Sequence, residues 1–369
     1  MKIEIFEMER MQSTYENLVD YDMSESGIKP VSINDLIGMG FDLDAVLDMP
    51  LGYSQSDGTP ELKELLQEIY PGAKLENIEV TNGTSEANYL IALSQLKEGD
   101  EFALEVPNYM QLWGVPRSLG AQVNSFSLRS EKEWEIDWEE FEKAVNPNTR
   151  LVYISNPNNP SGAVLSDEAM ARIVEQCEKM NAYLIADEVY IGAEHDGQRT
   201  RSFWGMGDRV VVTSGLSKAY GIPGIRVGWI IGPEKLVYDC WSQHDYITIG
   251  PNKLSDQMTR VAVLRENREK LYARTTAILK ENLPLFEEWV SEVEELDYTR
   301  SQAGAFSFLK LKTDAPSKDV VKSCLERRNT LIVPGAHFGM EGYIRVWLGG
   351  ARDYLEEGWK RIAEELKEW

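Results

Sequence analysis

The runs LVYIS at 151–155, YLIA at 183–186 and VVVT at 210–213 are apolar at nearly every consecutive position. A strand with one face in water alternates apolar and polar residues, so runs without alternation predict strands covered on both faces. Such strands belong to a parallel sheet between layers of helices, because each parallel crossover lays a helix across one face. The same reading gives further strands at 78–80, 101–106, 122–128 and 227–231. Helical patterns lie between several of them, most clearly at 85–96, 138–145 and 167–180. The expected fold is therefore α/β. It has a large domain over 41–275, built on a mostly parallel seven-stranded sheet flanked by helices.

The order changes after that. A long helical stretch at 255–283 precedes a helix at 285–293, a strand at 306–311 and a helix at 318–328. Short strands at 331–333 and 343–347 and a last helix at 354–367 follow. This predicts a smaller α+β domain over 276–369. The N-terminal arm, 1–40, shows no core of its own, reads as a loop at 24–30, and is expected to join the small domain.

Charge and rare residues exclude several functions. Asp and Glu number 61 against 38 Lys and Arg, a net charge of -23, which disfavours nucleic acid and anionic membrane as partners. The opening residues MKIEIFEMERMQ carry charges throughout and no run of 18 apolar residues occurs. Neither a secretory leader nor a membrane span is expected, and the protein reads as cytoplasmic. Cys177, Cys240 and Cys324 lie far apart, as do His195, His244 and His337, so neither a disulfide framework nor a metal site is expected.

Three polar clusters follow strands, where open parallel sheets bind ligands. Thr81-Asn82-Gly83-Thr84-Ser85-Glu86-Ala87 opens a helix, and its glycine and hydroxyls offer either a phosphate site or a cap by Thr84 or Ser85. Asn156-Pro157-Asn158-Asn159-Pro160-Ser161-Gly162 holds several asparagines in a turn fixed by prolines. In Asp187-Glu188-Val189-Tyr190 the aspartate could pair with a protonated ring nitrogen or cap a helix, and Tyr190 could reach the same ligand. In VVVTSGLSKAYGIPGIRVGWIIG, 210–232, Lys218 sits in a turn between apolar runs. Burial there would lower its pKa and free the amine to attack an aldehyde.

TNGTSEA, NPNNPSG, DEVY and SGLSKAYGIPGIRVGW, in that order, closely resemble the motifs of class I/II aminotransferases, the fold-type I enzymes that use pyridoxal 5'-phosphate (PLP). The likeness runs from about Gly52 to Gly349. It implies a Schiff base on Lys218, which then shuttles the substrate proton. Asp187 would keep the pyridine nitrogen protonated, and Tyr190 and Asn159 would bond the phenolic oxygen. Gly83, Thr84 and Arg226 would hold the phosphate, with Ser85 a possible contributor. Tyr109 would lie over the ring. Arg345, in GYIRVWL, would grip the substrate α-carboxylate, and the Ser26-Gly27 loop would close over the bound amino acid. Tyr53 would reach a neighbouring subunit's phosphate, making a homodimer with a shared site. Many relatives carry serine or threonine three residues before the lysine. Here that position is Gly215, leaving Ser214 or Ser217 to substitute.

The implied reaction is amino-group transfer between an L-amino acid and a 2-oxo acid. The same scaffold supports elimination, cyclisation or side-chain oxidation, and an aminotransferase-like sensor domain is the non-enzyme alternative. Tyr15, Tyr21, Trp113 and Tyr246 could line the substrate pocket. Asp20, Asp22 and Glu25 could either favour a cationic side chain there or stand as solvated acids on the arm.

Overall fold

A computed structural model describes residues 2–369. All seven expected strands form within two residues of their predicted ends, and a two-residue strand too short to carry a pattern extends one edge. In chain order they are β1 Ile78–Thr81, β2 Glu101–Val106, β3 Gln122–Arg129, β4 Glu135–Ile136, β5 Thr149–Ser155, β6 Tyr183–Asp187, β7 Val210–Gly215 and β8 Gly228–Ile231. The sheet order is β1-β8-β7-β6-β5-β2-β3-β4. The pairs β2–β3, β2–β5, β5–β6 and β6–β7 are parallel. Those of β8 with β1 and β7, and of β4 with β3, are antiparallel.

The unbroken apolar runs have the predicted cause. Leu151, Tyr153, Ile185 and Val211 face one buried layer, with Ala87, Leu90 and Ile91 of helix Thr84–Gln95. Val152, Ile154, Leu184, Ala186, Val210 and Val212 face another, with Met170 and Ile173 of helix Asp167–Lys179. Each large aliphatic side chain so buried contributes about 1.5–3 kcal/mol. The register sets Ser155 beside Asp187 and Asp187 beside Thr213. The clusters that follow β5, β6 and β7 therefore emerge together at one end of the sheet.

The C-terminal part holds a four-stranded antiparallel sheet of β9 Leu296–Tyr298, β10 Phe306–Leu311, β11 Val333–Pro334 and β12 Tyr343–Trp347, in the order β9-β10-β12-β11. The strand expected at 331–333 is instead two short pieces in different sheets, because Thr330–Leu331 pairs with Tyr21–Asp22 of the N-terminal arm. The long helical stretch also differs from expectation. It breaks at Leu264, after Lys253–Val263, and then runs unbroken over Arg265–Glu292 through Pro284. Proline removes one hydrogen bond to the carbonyl four residues back. Here that residue is Lys280, which is exposed and open to water, while Leu279, Leu283 and Phe286 stay buried along the other face. Leu271 of this helix packs with the large sheet and Leu279 with the small one.

The arm carries a helix that the sequence pattern did not reveal, α1 Glu7–Tyr15. Met8 is its one buried residue. Met8 joins the core of the large sheet, whereas Met23 and Ile28 further along the arm join that of the small sheet.

Candidate active site

A cavity of about 450 Å³ opens at the carboxyl ends of β5, β6 and β7 and is walled on the far side by α1 and the loop after it. Lys218 stands in the turn after β7. Its Nζ donates to Ser26 Oγ at 2.8 Å and lies 3.6 Å from Glu25 Oε1. The expected depression of its pKa does not occur. Burial does favour the neutral amine, but Tyr190, Glu25 and Glu9 outweigh it and raise the pKa. Burial by itself would raise Glu25. Lys218, the N–H groups of Ser26 and Gly27, and Arg345 instead draw it down to about 2.

Beside the lysine is an anion cradle. Helix Thr84–Gln95 has Gly83 as its N-cap, with no side chain bonding the first turn, so neither Thr84 nor Ser85 is the cap. This leaves the positive end of the helix dipole open toward the cavity. Gly83 has φ +92°, and a Cβ there would collide with Arg226 Nη2. A Cβ on Gly228 would lie 2.5 Å from Thr84 N. Both glycines thus permit the close approach of the Thr84 turn and the Arg226 guanidinium. Arg226 Nη1 lies 3.4 Å from Ser217 Oγ, and both residues line the cavity. Thr84 Oγ1 is buried without a hydrogen-bond partner among the described residues. A Cβ on Gly215 would lie 2.8 Å from Thr84 Oγ1, so that hydroxyl fills the space a side chain at 215 would need. Ser214 Oγ points elsewhere, toward the Glu188 carbonyl at 3.4 Å.

Asp187, at the end of β6, lies deeper. No helix begins there. Its Oδ2 accepts from Tyr153 Oη at 2.7 Å and Asn88 Nδ2 at 3.1 Å, and Oδ1 accepts from Val189 N at 3.1 Å. Burial raises its pKa even against these three donors, and a cation placed against it would favour the charged form. Tyr190 lines the same wall, with its ring edge-on to Phe306. Tyr109 does too, donating its hydroxyl to Glu9. Arg345, on β12, is 1% exposed. It donates through Nη1 to Asn159 Oδ1 at 2.9 Å and through Nη2 to the Ser24 carbonyl at 2.6 Å, while Nε has no partner among the described residues. Gly27 adjoins the lysine, since a Cβ on it would meet the Ser217 carbonyl at 3.3 Å. Tyr53 is 90% exposed and lies outside this chain's own cavity.

Other residues in the cavity were not singled out by sequence. Asn88 is one helical turn after Thr84, and Thr213 Oγ1 donates to its Oδ1 at 3.0 Å, which turns its amide N–H toward Asp187. Tyr153 is the one hydroxyl-bearing residue inside the LVYI run. Glu9 and Gln12 of α1 and Glu16, which caps its C-terminus, share one face by their spacing of three and four. Of the acids flagged on the arm, Glu25 lines the cavity, whereas Asp20 pairs with Arg361 and Asp22 accepts from Ser24. Tyr15, Tyr21, Trp113 and Tyr246 are not part of the lining.

The donors present fit a phosphorylated pyridine aldehyde: an amine, a buried carboxylate for a ring nitrogen, and a cradle with an unpartnered hydroxyl. Among the described residues no group of three or more His, Cys, Asp or Glu side chains could hold a metal ion. No described helix is long and apolar enough to cross a membrane. Residues 49–362 match the family model for aminotransferase class I and II. The chain is 30% identical over 287 residues to the capreomycidine synthase of Streptomyces vinaceus, covering 78% of this chain and 73% of that one. It is 25% identical over 328 residues to the aspartate aminotransferase of Pyrococcus horikoshii, covering 85% and 83%. A PLP-dependent aminotransferase from Streptococcus suis superimposes with a TM-score of 0.93 at 29% identity, over 100% of this chain and 99% of that one.

Proposed function

The chain belongs to the class I and II aminotransferases, enzymes that move amino groups with PLP, and from that membership we propose how its own residues divide the work. Bound PLP supplies an aldehyde for covalent attachment and a pyridine ring that accepts the electron pair released at the substrate Cα. Lys218 Nζ holds the cofactor and then serves as the base at Cα. Asp187 carries the negative charge that keeps the ring nitrogen protonated, with Tyr153 and Asn88 fixing its orientation. The Thr84 turn, Ser217 and Arg226 hold the phosphate, and Tyr190 bonds the phenolic oxygen. Arg345 takes the substrate α-carboxylate, a role that suits a guanidinium able to give two parallel hydrogen bonds. The Ser26-Gly27 loop, already in contact with Lys218, excludes water. We read the working unit as a homodimer.

One observation carries this reading: Lys218 and Arg226 from the β7–β8 connection, Asp187 from the end of β6 and Arg345 from β12 converge on one cavity. Lys218→Ala tests it. Wild-type protein treated with borohydride and dialysed is expected to retain a covalent pyridoxyl mass that the variant lacks. Amino transfer is expected to fall at least about a thousandfold. A variant as active and as heavily labelled as the wild type overturns the assignment. The 30% identity to a protein named a synthase favours a second reading, in which the same proton removal leads to a product other than an oxo acid. Turnover that needs no 2-oxo acid acceptor would support it.

A further inference from the structure

One wall of the cavity is acidic. The cavity lining carries three cations, Lys218, Arg226 and Arg345, and four carboxylates, Glu9, Glu16, Glu25 and Asp187. Under the functional reading above, on which this inference rests, every cation has an assigned partner. A phosphate would occupy Arg226, a carboxylate would occupy Arg345, and Lys218 would be committed to the cofactor. Asp187 faces the ring nitrogen. Glu9, Glu16 and Glu25 are then left together without a counter-charge. Among the described residues neither Glu9 nor Glu16 has a Lys, Arg or His partner within ion-pair distance, and the Glu25 partner is Lys218 itself. Burial and the proximity of Asp22, Glu25 and Glu9 already raise the pKa of Glu16, as mutual repulsion requires.

Arg345 supplies an independent pointer to a ligand in the same space. It is 1% exposed, lines this cavity and keeps Nε unpartnered. A buried guanidinium with a spare donor anchors an anion. It therefore fixes the carboxylate end of an amino acid and leaves the side chain to extend through the cavity toward α1. Two features hold α1 in position there. Tyr109 bonds Glu9, and Gln12 Nε2 donates to the Ser24 carbonyl at 2.9 Å and to Ser24 Oγ at 3.1 Å.

We propose that Glu9 of α1 and Glu16 at its C-terminal cap, with Glu25, form the subsite for a cationic side chain, so that the substrate is an amino acid ending in a guanidinium or ammonium group. Three carboxylates on one cavity favour a guanidinium, since its five N–H donors can engage more than one of them.

The test compares arginine with citrulline, which has the same shape without the charge, on the PLP-loaded enzyme. Arginine, ornithine and lysine are expected to react with kcat/KM at least tenfold above citrulline and norleucine, with the difference shrinking at high salt. The Glu9→Gln, Glu16→Gln double variant is expected to lower the arginine-to-citrulline ratio tenfold or more. A readout that stops before proton removal uses α-methyl-arginine, which has no Cα proton to lose. Its dissociation constant, followed by the cofactor absorbance, should rise tenfold in the double variant. Efficient turnover of neutral or acidic amino acids with none of the cationic ones, or an unchanged ratio in the variant, overturns the subsite while leaving amino transfer standing. Failure of every amino acid tested would instead overturn the functional reading beneath it.

Discussion

At the scale of single residues, the charge state of Lys218 is the point at which chemistry and environment pull in opposite directions. Sequence showed a lysine in an apolar turn and suggested a depressed pKa. What it could not show was a carboxylate 193 positions earlier in the chain, 3.6 Å away across the cavity. That pairing depends on how the arm folds back, which no local pattern encodes. Glu25 raises the Lys218 pKa, so removing its charge should lower it. Glu25→Gln is expected to shift the midpoint for PLP incorporation into apoprotein toward lower pH by about 1 unit, the size of a nearby opposite charge. The sign follows because only the neutral amine attacks an aldehyde, and a lower pKa makes it available in more acid solution. Incorporation rates measured from pH 6 to 10 would show this. An unchanged midpoint would mean that Glu25 does not govern the amine. Gly215 gives a complementary lesson. It looked like a missing hydroxyl in the motif, but the neighbouring turn places Thr84 Oγ1 in that space.

At the scale of elements, the central strands β5, β6 and β7 of the large sheet were legible because two-sided burial forces a continuous apolar run on each of them. Helix α1 was not, because Met8 alone among its residues is buried and its polar face is turned to a cavity rather than to bulk water. Between these extremes is the support under the phosphate turn. His244 ends helix Glu234–His244, and its ring meets Glu79 of β1 at 2.9 Å, Thr248 at 2.8 Å and Glu86 at 3.2 Å. Glu86 in turn accepts the Asn82 N–H at 2.6 Å, one residue before Gly83. Burial by itself would lower the His244 pKa, but Glu79 and Glu86 raise it to about 9. A histidine whose folded pKa exceeds the unfolded value adds stability that is complete below the ordinary value of 6.5. That stability is lost as pH rises through about 9. His244→Gln is therefore expected to lower the melting temperature by on the order of 3 °C at pH 6. The gap between variant and wild type should close as pH rises past 9. The PLP dissociation constant of the variant should increase as the Asn82–Thr84 turn loosens. Thermal melts across pH, with and without PLP, separate the two effects. A melting difference constant from pH 6 to 10 would show that the ring is not charged.

At the scale of the whole molecule, Tyr53 stands apart from the cavity to which the resemblance assigns it. That residue is 90% exposed, beside Leu51 at 87% and Leu47 at 74%. A second exposed apolar segment holds Tyr246 at 87%, Ile247 and Ile249. The two segments meet on one surface, since Lys253 Nζ donates to the Pro50 carbonyl at 2.9 Å and Gly250 lies against Ser56. Exposed apolar side chains grouped this closely on a chain with a net charge of -23 are the pattern of an interaction surface. A two-fold partner would cover both segments at once. Co-expression tests the proposed contact between chains. Lys218→Ala removes the amine from its own site but still supplies Tyr53, and Tyr53→Ala does the reverse. Each homodimer should be impaired, whereas a mixed dimer contains one site with both groups intact. With random pairing half of the dimers are mixed, so co-expression should restore about a quarter of wild-type activity. It should also restore the matching fraction of high-affinity PLP sites. Activity equal to the simple average of the two separate variants would show that each chain builds its site alone.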